Sequence, residues 1–177
     1  MPILVVGGHT RSVGKTSVVA GLIAALPEFH WTALKITQYG HNVCSANGQP
    51  CDCATADHSY WVRTQQGHLA EAMPRIRKIL ASTQNAIIES NSILRFLKPD
   101  LYLTVLDPHT EDFKPSAQTF LDRADAILLH AAADANDPAW KQVSLKPIIT
   151  RPTFPIQPPN YVTPEVVDFV RARLRIS

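Results

Sequence analysis

Short apolar runs alternate along the chain with longer stretches whose apolar positions recur at helical spacing. The first run, residues 2–6, is almost wholly apolar, the pattern of a strand buried on both faces of a parallel sheet. Residues 15–26, KTSVVAGLIAAL, predict a helix stopped by Pro27. Residues 31–37, WTALKIT, predict a second strand, and residues 38–54 carry turn chemistry throughout, a loop long enough to be functional or disordered. Residues 55–66 and 70–82 read as helices, with Gly67 and Pro74 marking a break and a new start. NAIIES at 85–90, LYLTVLD at 101–107 and AILLH at 126–130 read as strands, with a short helix at 115–124 before the last of them. KPIIT at 146–150 reads as the final strand, followed by a proline-rich loop at 151–159. Thr163, Pro164 and Glu165 open a terminal helix that carries Arg171, Arg173 and Arg175 near its end.

Apolar strands alternating with helices predict an α/β fold of three layers, a mostly parallel central sheet with helices on both faces. Neither a repeat nor a linker divides the sequence, so residues 1–177 read as one domain with a cysteine-rich loop at about 38–54. In such sheets ligands sit outside the carboxyl ends of the strands. The glycine-rich loop at 7–14, Lys35, Glu89, Asp107 and Arg151 all fall at or just past predicted strand ends, so they are expected to converge on one edge.

Charge and composition narrow the function. A formal net charge of +2 is too small to point to nucleic acid or an anionic membrane. No stretch has the apolar length of a membrane span, and the first apolar run leads straight into the glycine loop as a strand would, not as a signal peptide would. A cytoplasmic protein is expected. Three cysteines, an odd number, fit a reducing compartment better than a disulfide framework.

The chemistry concentrates in GGHTRSVGKTS, residues 7–17. A phosphate loop needs inward-turned backbone N–H groups, a flexible glycine before a lysine, a hydroxyl for Mg²⁺ and a helix N-terminus behind it. Gly14, Lys15 and Thr16 supply these, with Gly8, His9, Thr10, Arg11, Ser12, Val13 and Ser17 completing the candidate nucleotide-binding loop. The usual spacing would put the first glycine at position 9, which is His9; Gly8 leaves five residues before Gly14 instead of four.

That longer spacing is similar to the phosphate loop of dethiobiotin synthetases, members of the SIMIBI class of P-loop NTPases. Lys35 stands where those enzymes have a lysine before proline, although Ile36 follows here. ATADHSYW resembles the segment in which dethiobiotin synthetases and the molybdopterin-guanine dinucleotide biosynthesis protein B family place an aspartate opening a helix; here it is Asp57. NAIIESNS resembles the apolar strand that both families end on a glutamate near Mg²⁺; here it is Glu89, followed by Ser90 instead of the usual glycine. The resemblance implies a three-layer P-loop NTPase fold. It also implies a magnesium site at Thr16, Asp57 and Glu89, and catalytic roles for Lys15, Lys35 and Glu89. The Asn-Lys-x-Asp signature that reads guanine is absent, which favours ATP over GTP. Arg151 or Phe154, in the proline-rich loop, could stack on a base, or the loop could be a stiff connection.

All three cysteines fall between positions 44 and 53, with His41 just before them and His58 just after. His41, Cys44, Cys51 and Cys53 would make up a four-ligand zinc site, or hold an iron–sulfur cluster shared between two subunits. Two functions follow as expectations. One is a Mg-dependent nucleotide-binding protein that hydrolyses or transfers the γ-phosphate of ATP or GTP in a cofactor-biosynthesis or accessory role, with a small-molecule or protein client and a homodimeric option. The alternative is a metallochaperone or metal-cluster protein in which nucleotide state gates the cysteine loop. Neither reading involves nucleic acid or a membrane.

Overall fold

The computed structural model describes residues 1–39, 56–131, 138–141 and 143–174. Seven strands form one sheet: β1 (Ile3–Gly8), β2 (Trp31–Tyr39), β3 (His58–Gln65), β4 (Asn85–Glu89), β5 (Leu101–Leu106), β6 (Ala126–His130) and β7 (Thr153–Ile156). Their spatial order is β3-β2-β4-β1-β5-β6-β7, and every neighbouring pair is parallel. The central strands β1, β4 and β5 are buried on both faces, which is why their sequences are almost uniformly apolar.

The period-two alternation of side chains sorts these runs into two cores. Leu4 and Val6 face α1 (Lys15–Ala25) and α5 (Pro164–Arg173), packing with Val18, Leu22, Val166 and Val170. Val5 faces the other way, toward Leu69, Met73 and Ile76 of α2 (Leu69–Ala81) and toward Ile93. The sheet is therefore the middle of three layers. A third cluster, Leu106, Leu121, Ile127, Leu129 and Trp140, takes in the residue just after α3 (Pro115–Phe120) and packs against Ile148 of α4 (Lys146–Thr150).

Four expectations are corrected. Residues 58–65 form β3, not a helix: Val62 and Thr64 are buried while Arg63 is exposed, a strand alternation in a β-branched and aromatic segment. Pro74 opens nothing; it lies inside α2 on the exposed side, where the Ala70 carbonyl that loses its partner can be solvated. KPIIT is the short helix α4, with Pro147 in its first turn. The last strand is TFPI, inside the segment read as a loop. Pro155 is tolerated there because β7 is an edge strand whose outer side needs no donor. Among the described residues no helix is long and apolar enough to cross a membrane.

Candidate functional site

Parallel strands place all their carboxyl ends on one edge, and the site is built there. β1 ends on Gly7 and Gly8, and the chain turns through residues 9–14 into α1. Gly7 has no room for a side chain: a Cβ would lie 2.3 Å from Asn91 Oδ1. Asn91, just past β4, locks this turn by accepting from Gly8 N–H at 2.9 Å and donating Nδ2 to Gly8 carbonyl at 2.8 Å. Gly14 is the N-cap of α1 in the left-handed region, φ 102°, and carries no side chain to cap the helix. The first amides of α1 therefore point at the site without an intrahelical partner.

Three side chains meet behind that helix start. Thr16 Oγ1 donates to Glu89 Oε2 at 2.8 Å, and Lys35 Nζ donates to Thr16 Oγ1 at 3.1 Å. Lys35 Nζ lies 3.7 Å from Glu89 Oε2. The strand register explains the meeting, since Lys35 of β2 stands directly beside Glu89 of β4. Lys15 Nζ folds back over the loop and donates to the Thr10 carbonyl at 2.8 Å. Burial pushes the Lys15 ammonium down to about 8, helped by the charge of Lys114 and then of Lys35, with Glu89 opposing. A displacement of that size corresponds to roughly 3 kcal/mol of electrostatic cost at neutral pH, which a bound anion would relieve. A cavity of about 170 Å³ opens between Ser12, Gly14, Lys15, Thr16, Ser17, Glu89 and Tyr161. A larger hollow of about 610 Å³ lies beside Pro99, Asp100, Arg123 and Asp125, residues that precede β5 and β6 and so mark the opposite edge. The smaller cavity is the chemically equipped one.

His9 belongs to the loop by its backbone only. Its ring is buried between Phe113 and Trp140, at centroid distances of 5.1 and 5.2 Å, and Nδ1 accepts from Asp107 N–H at 3.4 Å. The longer loop thus turns a residue inward where the shorter motif has glycine. Desolvation lowers the His9 pKa, so the folded chain resists a proton that the unfolded chain takes up near 6.5. The stabilisation is complete above that pH and is lost progressively below it. Denaturation midpoints at about pH 7.5 and pH 5 should therefore differ less for His9→Phe than for the wild type; an unchanged difference would contradict the assignment.

Other candidates fall elsewhere. Asp57 precedes β3 and so lies at the amino edge of the sheet, where it pairs with His30 at 3.1 Å. The magnesium role expected for Asp57 is withdrawn, because the segment it opens is a parallel strand running toward the site, not a helix leaving it. Arg151 precedes β7 at that same amino edge and donates to the Asp122 carbonyl at 3.2 Å. Phe154 packs on Phe169, with ring centroids 5.3 Å apart. Neither can stack on a base at the carboxyl edge. Asp107 does reach that edge but is occupied by its own turn. Burial would raise its pKa, yet the His109 amide at 3.0 Å and the Thr110 hydroxyl at 2.8 Å hold it below the usual value. His41, Cys44, Cys51 and Cys53 lie outside the described residues.

Sequence reasoning missed three contributors. Tyr161, from the connection after β7, covers Gly14 so closely that a Cβ there would lie 2.2 Å from its Cε1. His130, at the end of β6, bonds the Val13 carbonyl through Nε2 at 2.8 Å and meets the Tyr161 ring edge-on at 5.8 Å. Asn91 is the third. No local motif marks any of them, because each is brought in by a different strand end.

No family model matches the chain, and neither does any curated protein. Solved structures do. LpxK from Aquifex aeolicus in complex with ATP superposes with a TM-score of 0.51 at 20% identity, over 88% of this chain and 53% of that one. HypB from Helicobacter pylori in complex with nickel gives 0.54 at 14% identity, over 97% and 84%. FlhF complexed with GMPPNP and Mg²⁺ gives 0.51 at 14%, over 98% and 74%. This chain spans about half the length of LpxK. At these identities the likeness is one of fold: the chain has the three-layer α/β fold of P-loop NTPases.

Proposed function

We propose that the chain binds a Mg²⁺–nucleoside triphosphate in the Gly8–Ser17 loop and hydrolyses or transfers its γ-phosphoryl group. The observation that carries this is the cluster of Lys15, Thr16, Lys35 and Glu89 at the start of α1, a half-buried cationic cradle around one buried carboxylate. The α1 amides would hold phosphate oxygens, and Lys15 would leave the Thr10 carbonyl to bridge the β- and γ-phosphates. The donor set fits magnesium, which takes one or two protein oxygens and fills its octahedron with phosphate and water. Thr16 Oγ1 and Glu89 would hold it, with Lys35 sharing the carboxylate, and the ion would supply charge neutralisation between the phosphates. With Asp57 withdrawn, these two oxygens are the protein's contribution among the described residues.

Positioning and electrostatic stabilisation are what phosphoryl transfer asks of a protein, and Lys15 and Lys35 place two ammonium groups for it. A cofactor-biosynthesis or accessory role, with ATP preferred over GTP, remains part of this reading. The neighbours' ATP and GMPPNP complexes support the ligand class without choosing the base. The metal-handling alternative rests on His41, Cys44, Cys51 and Cys53, and no feature of the described site adds to it. Thermal melting with ATP, GTP and AMP, each with and without Mg²⁺, tests the proposal. A triphosphate at a hundred times its Kd should stabilise by about 2.7 kcal/mol, and AMP should do far less. Identical melting with all three and with none would refute it.

A further inference from the structure

We propose that Lys114 contacts the terminal phosphate and makes the site prefer a nucleoside triphosphate to the diphosphate. The inference rests on the nucleotide-binding reading of the loop and adds a residue that no motif supplies. Lys114 lies at the N-cap of α3, on the connection from β5, and its backbone N–H donates to the His9 carbonyl at 2.8 Å. Two residues earlier, Asp112 Oδ2 accepts from Thr10 Oγ1. The connection is thus sewn to the phosphate loop at two consecutive residues, His9 and Thr10. Lys15 Nζ points to the same place, since it donates to the Thr10 carbonyl. A phosphate-loop lysine marks the β- and γ-phosphates, so Lys114 stands at the terminal-phosphate end of the site. The other end is closed by Tyr161 against Gly14.

The Lys114 side chain is half-buried, and among the described residues it makes no hydrogen bond and no ion pair. A half-buried ammonium without a carboxylate partner is costly unless an anion comes to it. Its neighbours sharpen that need. Burial and the charge of Arg11 lower its pKa, only partly offset by Asp112 and Glu89. Lys114 in turn depresses Lys15. Arg11, Lys15, Lys35 and Lys114 together outnumber the carboxylates Glu89 and Asp112, a surplus suited to a polyanion. A diphosphate held by the α1 amides and Lys15 would stop short of Lys114, whereas a third phosphate would reach it. The competing account is structural: Lys114 caps a short helix through its backbone, and its ammonium does nothing.

Affinities decide between the two accounts. Calorimetry would compare ADP, a non-hydrolysable ATP analogue, pyrophosphate and tripolyphosphate, on the wild type, Lys114→Met and Lys114→Arg. Methionine keeps the apolar stem, and the melting temperature reports whether the fold is intact. The expected result is a loss of about tenfold or more for the triphosphate ligands, diphosphate affinities within about twofold, and recovery in Lys114→Arg. Arg77→Met, an exposed cation on α2 outside the site, serves as a control for net charge and should leave both ligand types within about twofold. Equal weakening of di- and triphosphates by Lys114→Met, or no weakening, overturns the assignment while leaving the loop's function standing. A folded wild type that binds none of the four ligands overturns both.

Discussion

Replacing Lys15 by methionine should abolish nucleotide binding and raise the melting temperature of the ligand-free protein. The two effects have one cause. Lys15 is held at about 8 by burial and by the charges of Lys114 and Lys35, so keeping it protonated at neutral pH costs the fold roughly 3 kcal/mol. Methionine removes that cost and retains the stem. Loss of the donor to the Thr10 carbonyl takes back about 1 kcal/mol, leaving a net gain of about 1–2 kcal/mol and a few degrees in melting temperature. The pH dependence follows with a definite sign. Between about 8 and 10.5 the unfolded chain keeps a proton on Lys15 that the folded chain has lost, so stability rises with pH across that window in the wild type. Triphosphate affinity moves the opposite way, falling above about pH 8 as the ammonium is lost. Denaturation curves and calorimetry on both proteins check each part. A methionine variant that binds as tightly as wild type, or melts lower, would remove Lys15 from the site.

Gly14→Ala should destabilise the fold and eliminate binding together. A residue with a side chain at φ 102° costs about 1–2 kcal/mol, and the new Cβ would lie 2.2 Å from Tyr161 Cε1 and 2.7 Å from Cδ1. Since Tyr161 packs edge-on against His130, which bonds the Val13 carbonyl, displacing the ring disturbs the loop on both sides of Gly14. Overpacking of this kind adds about 1–3 kcal/mol. A double-mutant cycle separates the terms. In a Tyr161→Ala background the steric part should vanish and the backbone part remain, a coupling of about 1–3 kcal/mol measured by chemical denaturation. Zero coupling would mean that the tyrosine does not close the loop in solution.

How much of this was legible beforehand depends on whether the information was local. GGHTRSVGKT announced itself because strand, glycine turn and helix start are consecutive, and backbone amides at a helix N-terminus need no distant partner. Glu89 was legible as the polar end of an apolar strand, since a carboxylate there must face a cleft or a cation, whereas Lys35 stands midway along β2 (Trp31–Tyr39) and only the family resemblance marked it. Asp57 misled because the segment that follows it, HSYWVRTQ, carries a period of two, the mark of a strand and not of a helix. Arg151 misled for the mirror reason. By its apolar pattern KPIIT reads as the last strand, with Arg151 after it, whereas the true strand TFPI puts Arg151 before it, on the other edge.

Sequence alone determined the layer architecture and the phosphate loop, because apolar periodicity and loop chemistry are set within a few residues of each other. Tertiary structure decided the rest of the site. The parallel register sets Lys35 beside Glu89 and brings both to Thr16. The connection from β5 carries Lys114 and Asp112 to the loop, the connection after β7 lays Tyr161 on Gly14, and Asn91 ties β4 to the end of β1. These residues are 70 to 150 positions apart in places, and no local pattern specifies which strand ends become neighbours. That choice is made by the strand order of the sheet, which follows from how two apolar faces are buried at once.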